Sequence, residues 1–254
     1  MIPEQRREWI VSLLASETVV SVRDLTRRLG VSHMTVRRDI AALEDEGRAR
    51  SVKGGVRVAQ HLRSEPSYEA KAVTHLDLKK KIATEAARRV SSGAAVYLDA
   101  GTTVAALVPS LRELSGLTVV TNDFSTLGML MDTDIELVHI GGHVENRNRS
   151  STGRLAATTM RQINVDVAFL SASSWDGARG LTTPAEAKVD VKQAALEVAS
   201  TAILLADSTK YGTFAMHRVA DLVEFDEVIT DDQLASSSAQ RLRTMGVTLT
   251  LATG

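Results

Sequence analysis

His33, Thr35, Arg37 and Arg38 form the tightest group of side chains equipped for recognition chemistry. All four can donate hydrogen bonds and two carry a permanent charge, which suits contact with base edges and phosphates. Val36, Ile40 and Leu43 recur among and beyond them at intervals of four and three, so the apolar residues fall on one stripe of a helix and the polar four outside it. Ser32 is placed to cap that helix and Gly47 to stop it. Downstream, Arg48, Arg50, Lys53 and Arg57 alternate with small or apolar residues around Gly54-Gly55, the pattern of a two-stranded wing that carries cations to phosphate. Ser32, His33, Thr35, Arg37, Arg38, Lys53, Gly54 and Arg57 are therefore expected to face duplex DNA.

A second set of polar groups follows apolar runs, one after another. The clusters are Asp99-Ala100-Gly101-Thr102-Thr103, Thr121-Asn122-Asp123, Gly141-Gly142, Ser171-Ala172-Ser173 and Asp207-Ser208-Thr209-Lys210. Each alone is ordinary capping chemistry. In series they point to a pocket, because ligands of open parallel sheets bind beyond the carboxyl ends of the strands. Gly101 lets backbone approach an anion, Thr102 and Thr103 add hydroxyls at a helix start, and Lys210 can neutralise the charge. Asp99 and Asn122 suit sugar hydroxyls, which both donate and accept. His139 and His143 are four apart, but Gly141-Gly142 between them argues against a shared helical face and hence against a metal.

These groups need two kinds of scaffold. Ser21 reads as the cap of a short helix beginning near Val22, with Leu25 and Leu29 on one face and Gly30 ending it. With a preceding helix carrying Trp9, Ile10, Leu13 and Leu14, that gives a winged helix-turn-helix over residues 1–58. A helical hairpin with a merely solvated basic face is the bland alternative; the net positive charge of Ser21 to Val58 within a chain of net charge −1 argues against it. Residues 59–75 lack a sustained apolar period and read as a linker. From Leu76 to Gly254, apolar runs at 94–98, 117–121, 135–140, 167–170, 202–206, 227–230 and 247–251 alternate with amphipathic stretches. The expected second domain is thus α/β with a mostly parallel sheet, since parallel strands need crossovers.

Composition narrows the functions further. With 254 residues the chain exceeds what the N-terminal motif uses, and the absence of cysteine excludes disulfides and thiolate chemistry. No stretch approaches a membrane span and the first residues do not read as a signal peptide, so a cytoplasmic protein without a membrane partner is expected. Aromatic content of 4% disfavours single-strand reading by base stacking. Dinucleotide, phosphate-loop and nucleophile-elbow motifs are missing, and no cofactor is expected.

The residues together resemble the DeoR family of bacterial transcription regulators. The N-terminal resemblance lies in Val31-Ser32-His33-Met34-Thr35-Val36-Arg37-Arg38-Asp39-Ile40 and Gly54-Gly55. The C-terminal resemblance lies in Asp99 to Thr103, Thr121-Asn122, Gly141-Gly142 with Gly153, Asp166 to Leu170, Glu186 with Lys188, and Asp207 to Gly212. It implies an effector and oligomerisation domain similar in fold to ribose-5-phosphate isomerase and glucosamine-6-phosphate deaminase. It also implies a repressor of carbohydrate-use genes, working as a homodimer or homotetramer and answering to a phosphorylated sugar. Carried onto this chain, the effector site comprises Asp99, Gly101, Thr102, Thr103, Asn122, Gly141, Gly142, Ser173, Glu186, Asp207 and Lys210. Ser171 and Val56 depart from the glycine and alanine common in the family. The rival reading is an isomerase or deaminase with a DNA-binding appendage, in which Asp99, Glu186, Asp207 and Lys210 would supply acid, base and electrophile.

Overall fold

The computed structural model describes residues 1–52 and 54–253. Its first three helices, α1 (Pro3–Ser16), α2 (Val22–Leu29) and α3 (His33–Asp45), enclose Ile10, Leu14, Leu25, Val36 and Leu43 in a small core. The local signals act as read. Ser21 Oγ accepts from the Asp24 N–H at 3.0 Å, Ser32 Oγ from the Thr35 N–H at 3.1 Å, and Gly30 ends α2 in the left-handed region (φ 63°). A two-pronged hydrogen bond from Arg6 to the buried Asp39 carboxylate, at 2.7 and 3.0 Å, ties α1 to α3.

The wing follows as β1 (Ala49–Val52) and β2 (Gly55–Val58), antiparallel, with Val52 opposite Gly55. Gly55 is there for want of a side chain: a Cβ would strike the backbone of Val20, which exchanges two hydrogen bonds with Val56 at 2.9 and 3.0 Å. Val56 is wholly buried in the head core.

Residues 59–75 are more structured than their polarity suggests. They contain β3 (Gln60–His61) and α4 (Tyr68–Ala72). The body then runs α5 (Leu76–Ala87), β4 (Ala95–Leu98), α6 (Thr102–Ala105), α7 (Val108–Leu111), β5 (Thr118–Thr121), α8 (Phe124–Leu130), β6 (Glu136–His139) and a hairpin of β7 (His143–Glu145) with β8 (Ser150–Thr152). Next come α9 (Gly153–Met160), β9 (Val165–Ser171), β10 (Ser174–Asp176), β11 (Gly180–Thr183), α10 (Ala187–Val198) and β12 (Ala199–Leu205). Last are β13 (Thr213–Phe214), β14 (His217–Ala220), β15 (Glu227–Asp231), α11 (Ser236–Thr244) and β16 (Leu249–Ala252).

The seven expected strands form one sheet in the order β16-β15-β12-β9-β4-β5-β6, with every pairing parallel. Both faces are covered, which explains the continuous apolar runs. Tyr97, Val120, Leu170 and Leu204 pack on one face with Ala156, Val191 and Leu242 from α9, α10 and α11. Val96, Val119, Phe169 and Ile203 pack on the other with Ile82, Val104 and Leu111 from α5, α6 and α7.

Chain order along the sheet reverses between β4 and β9: strands go outward to β6 on one side and to β16 on the other. Crossovers leaving in opposite directions open a crevice at the carboxyl ends of those two strands. Three smaller pieces escaped the sequence reading, the antiparallel β10-β11-β14 sheet, the β7-β8 hairpin and the short parallel pairing of β3 with β13.

Candidate functional site

The first surface is the exposed flank of α3. His33, Arg37 and Arg38 are exposed, while Thr35 is half-buried and the Ser32 hydroxyl is committed to the cap. Arg37 and Arg38 project from a helix whose opposite stripe, Val36, Ile40 and Leu43, is fixed in the core. Gly54 is exposed at the wing turn and Arg57 is half-buried on β2; Lys53 lies outside the described residues. Two other wing cations do not reach for phosphate as expected. Arg48 is held by Glu8 at 2.7 and 2.8 Å and by Glu46 at 3.2 Å, and Arg50 is buried against the body.

The second is a cavity of about 230 Å³ at the β4/β9 crevice. Of the expected effector residues it gathers Gly101, Thr102, Thr103, Ser173 and Lys210. The Thr103 hydroxyl is buried there without a hydrogen-bond partner, a donor ready for a guest. Gly101 is required by its neighbour: a Cβ would stand 2.6 Å from the Ser171 Cβ. Lys210 Nζ sits 3.2 Å from Asp207. Burial opposes ionisation of Asp207, but Lys210 and the Thr209 hydroxyl hold its carboxyl below the usual range.

Behind Ser171 lies a second space of about 10 Å³, bordered by Asp99, Asn122, Ser150, Lys188 and Lys192, room for one water-sized occupant. Asp99 and Asn122, expected to bind ligand hydroxyls, border this space and brace the strand ends. Asp99 Oδ2 accepts from the Ser171 N–H and hydroxyl at 2.9 and 2.7 Å and pairs with Lys192. Asn122 accepts from the Ala100 N–H at 2.8 Å and donates to the Ser151 carbonyl at 3.1 Å. Both are buried, and the hydrogen bonds of the Asp99 carboxylate all fall on Oδ2.

Other expected residues lie elsewhere. Gly141 and Gly142 make the left-handed turn between β6 and β7 (φ 66° and 113°), and a Cβ on Gly142 would also stand 2.7 Å from the Ala156 Cβ of α9. Glu186 precedes α10 beside Gly153, Asp190 and His217, in a separate open groove. Asp207 is buried beneath Lys210 rather than lining the cavity.

The residues 59–75 supply what the sequence reading missed. Glu65, Lys71, Thr74 and His75 all line the cavity. Glu65 bridges Lys71 and Lys188, each at 2.5 Å, and Lys71 also donates to Asn148 Oδ1 at 2.6 Å. Burial works against the Glu65 charge, yet Lys188 and Lys71 pull its carboxyl down to about 2. Lys79, buried close by, is pushed down to about 8 by burial and by the charge of Lys210. Lys71 and Lys210 are the lysines of the cavity wall, and their charge favours an anion. His75 stands in the left-handed region (φ 53°) just before α5, a conformation that non-glycine residues keep only where surroundings impose it. Lys188 and Lys192 carried one legible signal: four apart on a helix, they share a face. Among the described residues no cluster of His, Cys, Asp or Glu could hold a metal ion, and no helix is long and apolar enough to cross a membrane.

Fold and surfaces together define a helix-turn-helix regulator joined to an α/β sensor. Comparison with known proteins supplies the family. The sequence model of the DeoR-like helix-turn-helix domain matches residues 6–61 and that of the DeoR C terminal sensor domain matches residues 74–232. The chain therefore belongs to the DeoR family of transcriptional regulators. It is 42% identical to the uncharacterized HTH-type transcriptional regulator YgbI of Escherichia coli, over 99% of each chain. It is 32% identical to the transcriptional repressor AccR of Agrobacterium fabrum, over 90% of this chain and 89% of that one. A solved ribose 5-phosphate isomerase from Methanocaldococcus jannaschii aligns over 53% of this chain and 54% of that chain, at 22% identity and a TM-score of 0.40. The chain is a DNA-binding transcriptional regulator of that family.

Proposed function

We propose that this chain represses a carbohydrate-use operon and that a phosphorylated sugar in the β4/β9 cavity sets its hold on operator DNA. One observation carries the reading. The cavity sits at the sheet's switch point and combines a bare backbone at Gly101, the unpartnered Thr103 hydroxyl, and Lys71 and Lys210, a fit for an anionic, hydroxyl-rich guest. In this reading Gly101, Thr102, Thr103, Ser173 and Lys210 touch the ligand directly. Asp99, Asn122 and Asp207 keep its walls in place, and Gly141, Gly142 and Glu186 stand away from it.

Residues 1–58 then read duplex DNA through Ser32, His33, Thr35, Arg37, Arg38, Gly54 and Arg57, with Lys53 added at the wing tip. Residues 76–254 sense and assemble, as a homodimer or homotetramer in the cytoplasm. Residues 59–75 do more than join the two, because they form one wall of the cavity.

A thermal-shift series of phosphorylated sugars against their dephosphorylated partners tests the sensor. A ligand that binds only the native state raises Tm with concentration, so the expected result is a shift confined to phosphorylated compounds and lost in Lys210→Gln. Equal shifts from both sets, or a shift untouched by Lys210→Gln, would remove the reading.

A further inference from the structure

One cation of the head is spent on the body. Arg50 on β1 is buried, and its Nη1 donates to the Thr209 carbonyl at 2.9 Å and to the Tyr211 carbonyl. Its Nε is buried without a partner, and Arg57 stands directly across the wing from it. Burial, then Arg57, push the guanidinium down to about 10. The passage is built to fit: Gly212 is left-handed (φ +69°), and a Cβ there would collide with the Arg50 stem.

The segment that receives Arg50 also faces the cavity. Thr209, Lys210 and Thr213 line it, while Ser208 is anchored behind by its N–H and hydroxyl to Asp231, both at 2.7 Å. Among the described residues the other side-chain hydrogen bonds between head and body are Arg179 to the Gly47 carbonyl, Ser238 to Glu44 and Arg241 to Asp45. Those end on segments that do not line the cavity.

We propose that Arg50 couples the two sites: a change in the Asp207–Thr213 segment on one side seats or unseats the guanidinium on the other, and with it the wing. The inference rests on the cavity being the effector site. A cation held by carbonyls alone tolerates little displacement, because hydrogen bonds weaken steeply with angle and distance and an unsatisfied buried charge is costly. The seat is therefore either made or vacated, the two-state behaviour that coupling requires. Thermodynamic reciprocity adds that DNA on the head must be felt in this segment even with the cavity empty.

Amide hydrogen exchange of the full chain, with and without saturating duplex from its own upstream region and with no metabolite added, tests this directly. We expect duplex to change exchange of the Asp207–Thr213 amides by about fivefold or more, the lower end of ordinary coupling. Arg50→Met should erase that response at duplex concentrations that still saturate, and Gly212→Ala should erase it from the body side. An unresponsive segment in the unaltered chain, or a full response in Arg50→Met, would overturn the proposal. If Arg50→Met loses protection throughout the sheet, Gly212→Ala decides in its place, and a full response there overturns it equally. A sugar-phosphate screen without a hit would undo the sensor reading while leaving this segment's response to duplex intact, so the two failures are told apart.

Discussion

Arg37 and Arg38 are exposed and, like Arg23 among the described residues, make no ion pair, whereas Arg6, Arg28 and Arg48 are committed to carboxylates. Replacing either with alanine should cost about 1–3 kcal/mol of operator binding if it reads a base edge, and relax preference at one position. If it meets phosphate only, the loss should be uniform across sequences and the salt slope should fall by about one. Fluorescence anisotropy over a salt series distinguishes these outcomes. Glu65 makes a prediction about pH. Its carboxyl is held at about 2 against an ordinary 4.5, so between those values the folded chain binds fewer protons than the unfolded one. Stability should therefore fall as pH drops from 4.5 toward 2, by on the order of 3 kcal/mol, and Glu65→Gln should flatten the profile measured by urea titration. At this scale the sequence was legible where partners are local. Ser21, Ser32 and Gly30 declared their capping roles because each acts within four residues of itself. Glu65, Lys188 and Lys192 did not, because Lys188 meets Glu65 across a separation of 123 residues and Lys192 meets Asp99 across 93.

Long apolar runs made the seven parallel strands readable, since a strand buried on both faces has no polar alternation to confuse it. The pieces that stayed hidden are short and half polar. Ser150–Thr152, Ser174–Asp176 and Gln60–His61 look like loop until a partner strand supplies their hydrogen bonds. The wing is an intermediate case, visible from Gly54-Gly55 but with Arg48 and Arg50 misassigned, because alternation shows which residues share a face and not what that face meets. Its geometry yields a further prediction. Gly55→Ala places a Cβ against the Val20 carbonyl, and overpacking of this kind costs about 1–3 kcal/mol. Denaturant unfolding should show the loss, with wing-dependent DNA affinity falling alongside it.

For the whole molecule, the question is how heads are spaced. If the body assembles the chain in pairs, two α3 helices must meet successive major grooves about 34 Å apart, or a multiple of that, on one face of the duplex. Footprinting should then show two protected stretches separated by whole turns, and inserting half a turn between them should abolish tight binding. Protection of a single short stretch, unaffected by the insertion, would count against paired heads.

The wall formed by Glu65, Lys71, Thr74 and His75 bears on how this family's bodies are studied in isolation. A fragment that begins at Leu76, the natural place to cut by composition, keeps every strand of the large sheet. It discards part of the cup, leaves Lys188 without its main counter-charge, and unzips β13 from β3. If the cavity is the ligand site as proposed, such a fragment would underreport its ligand even with its sheet intact, and a weak or empty binding isotherm from it would describe the cut and not the regulator.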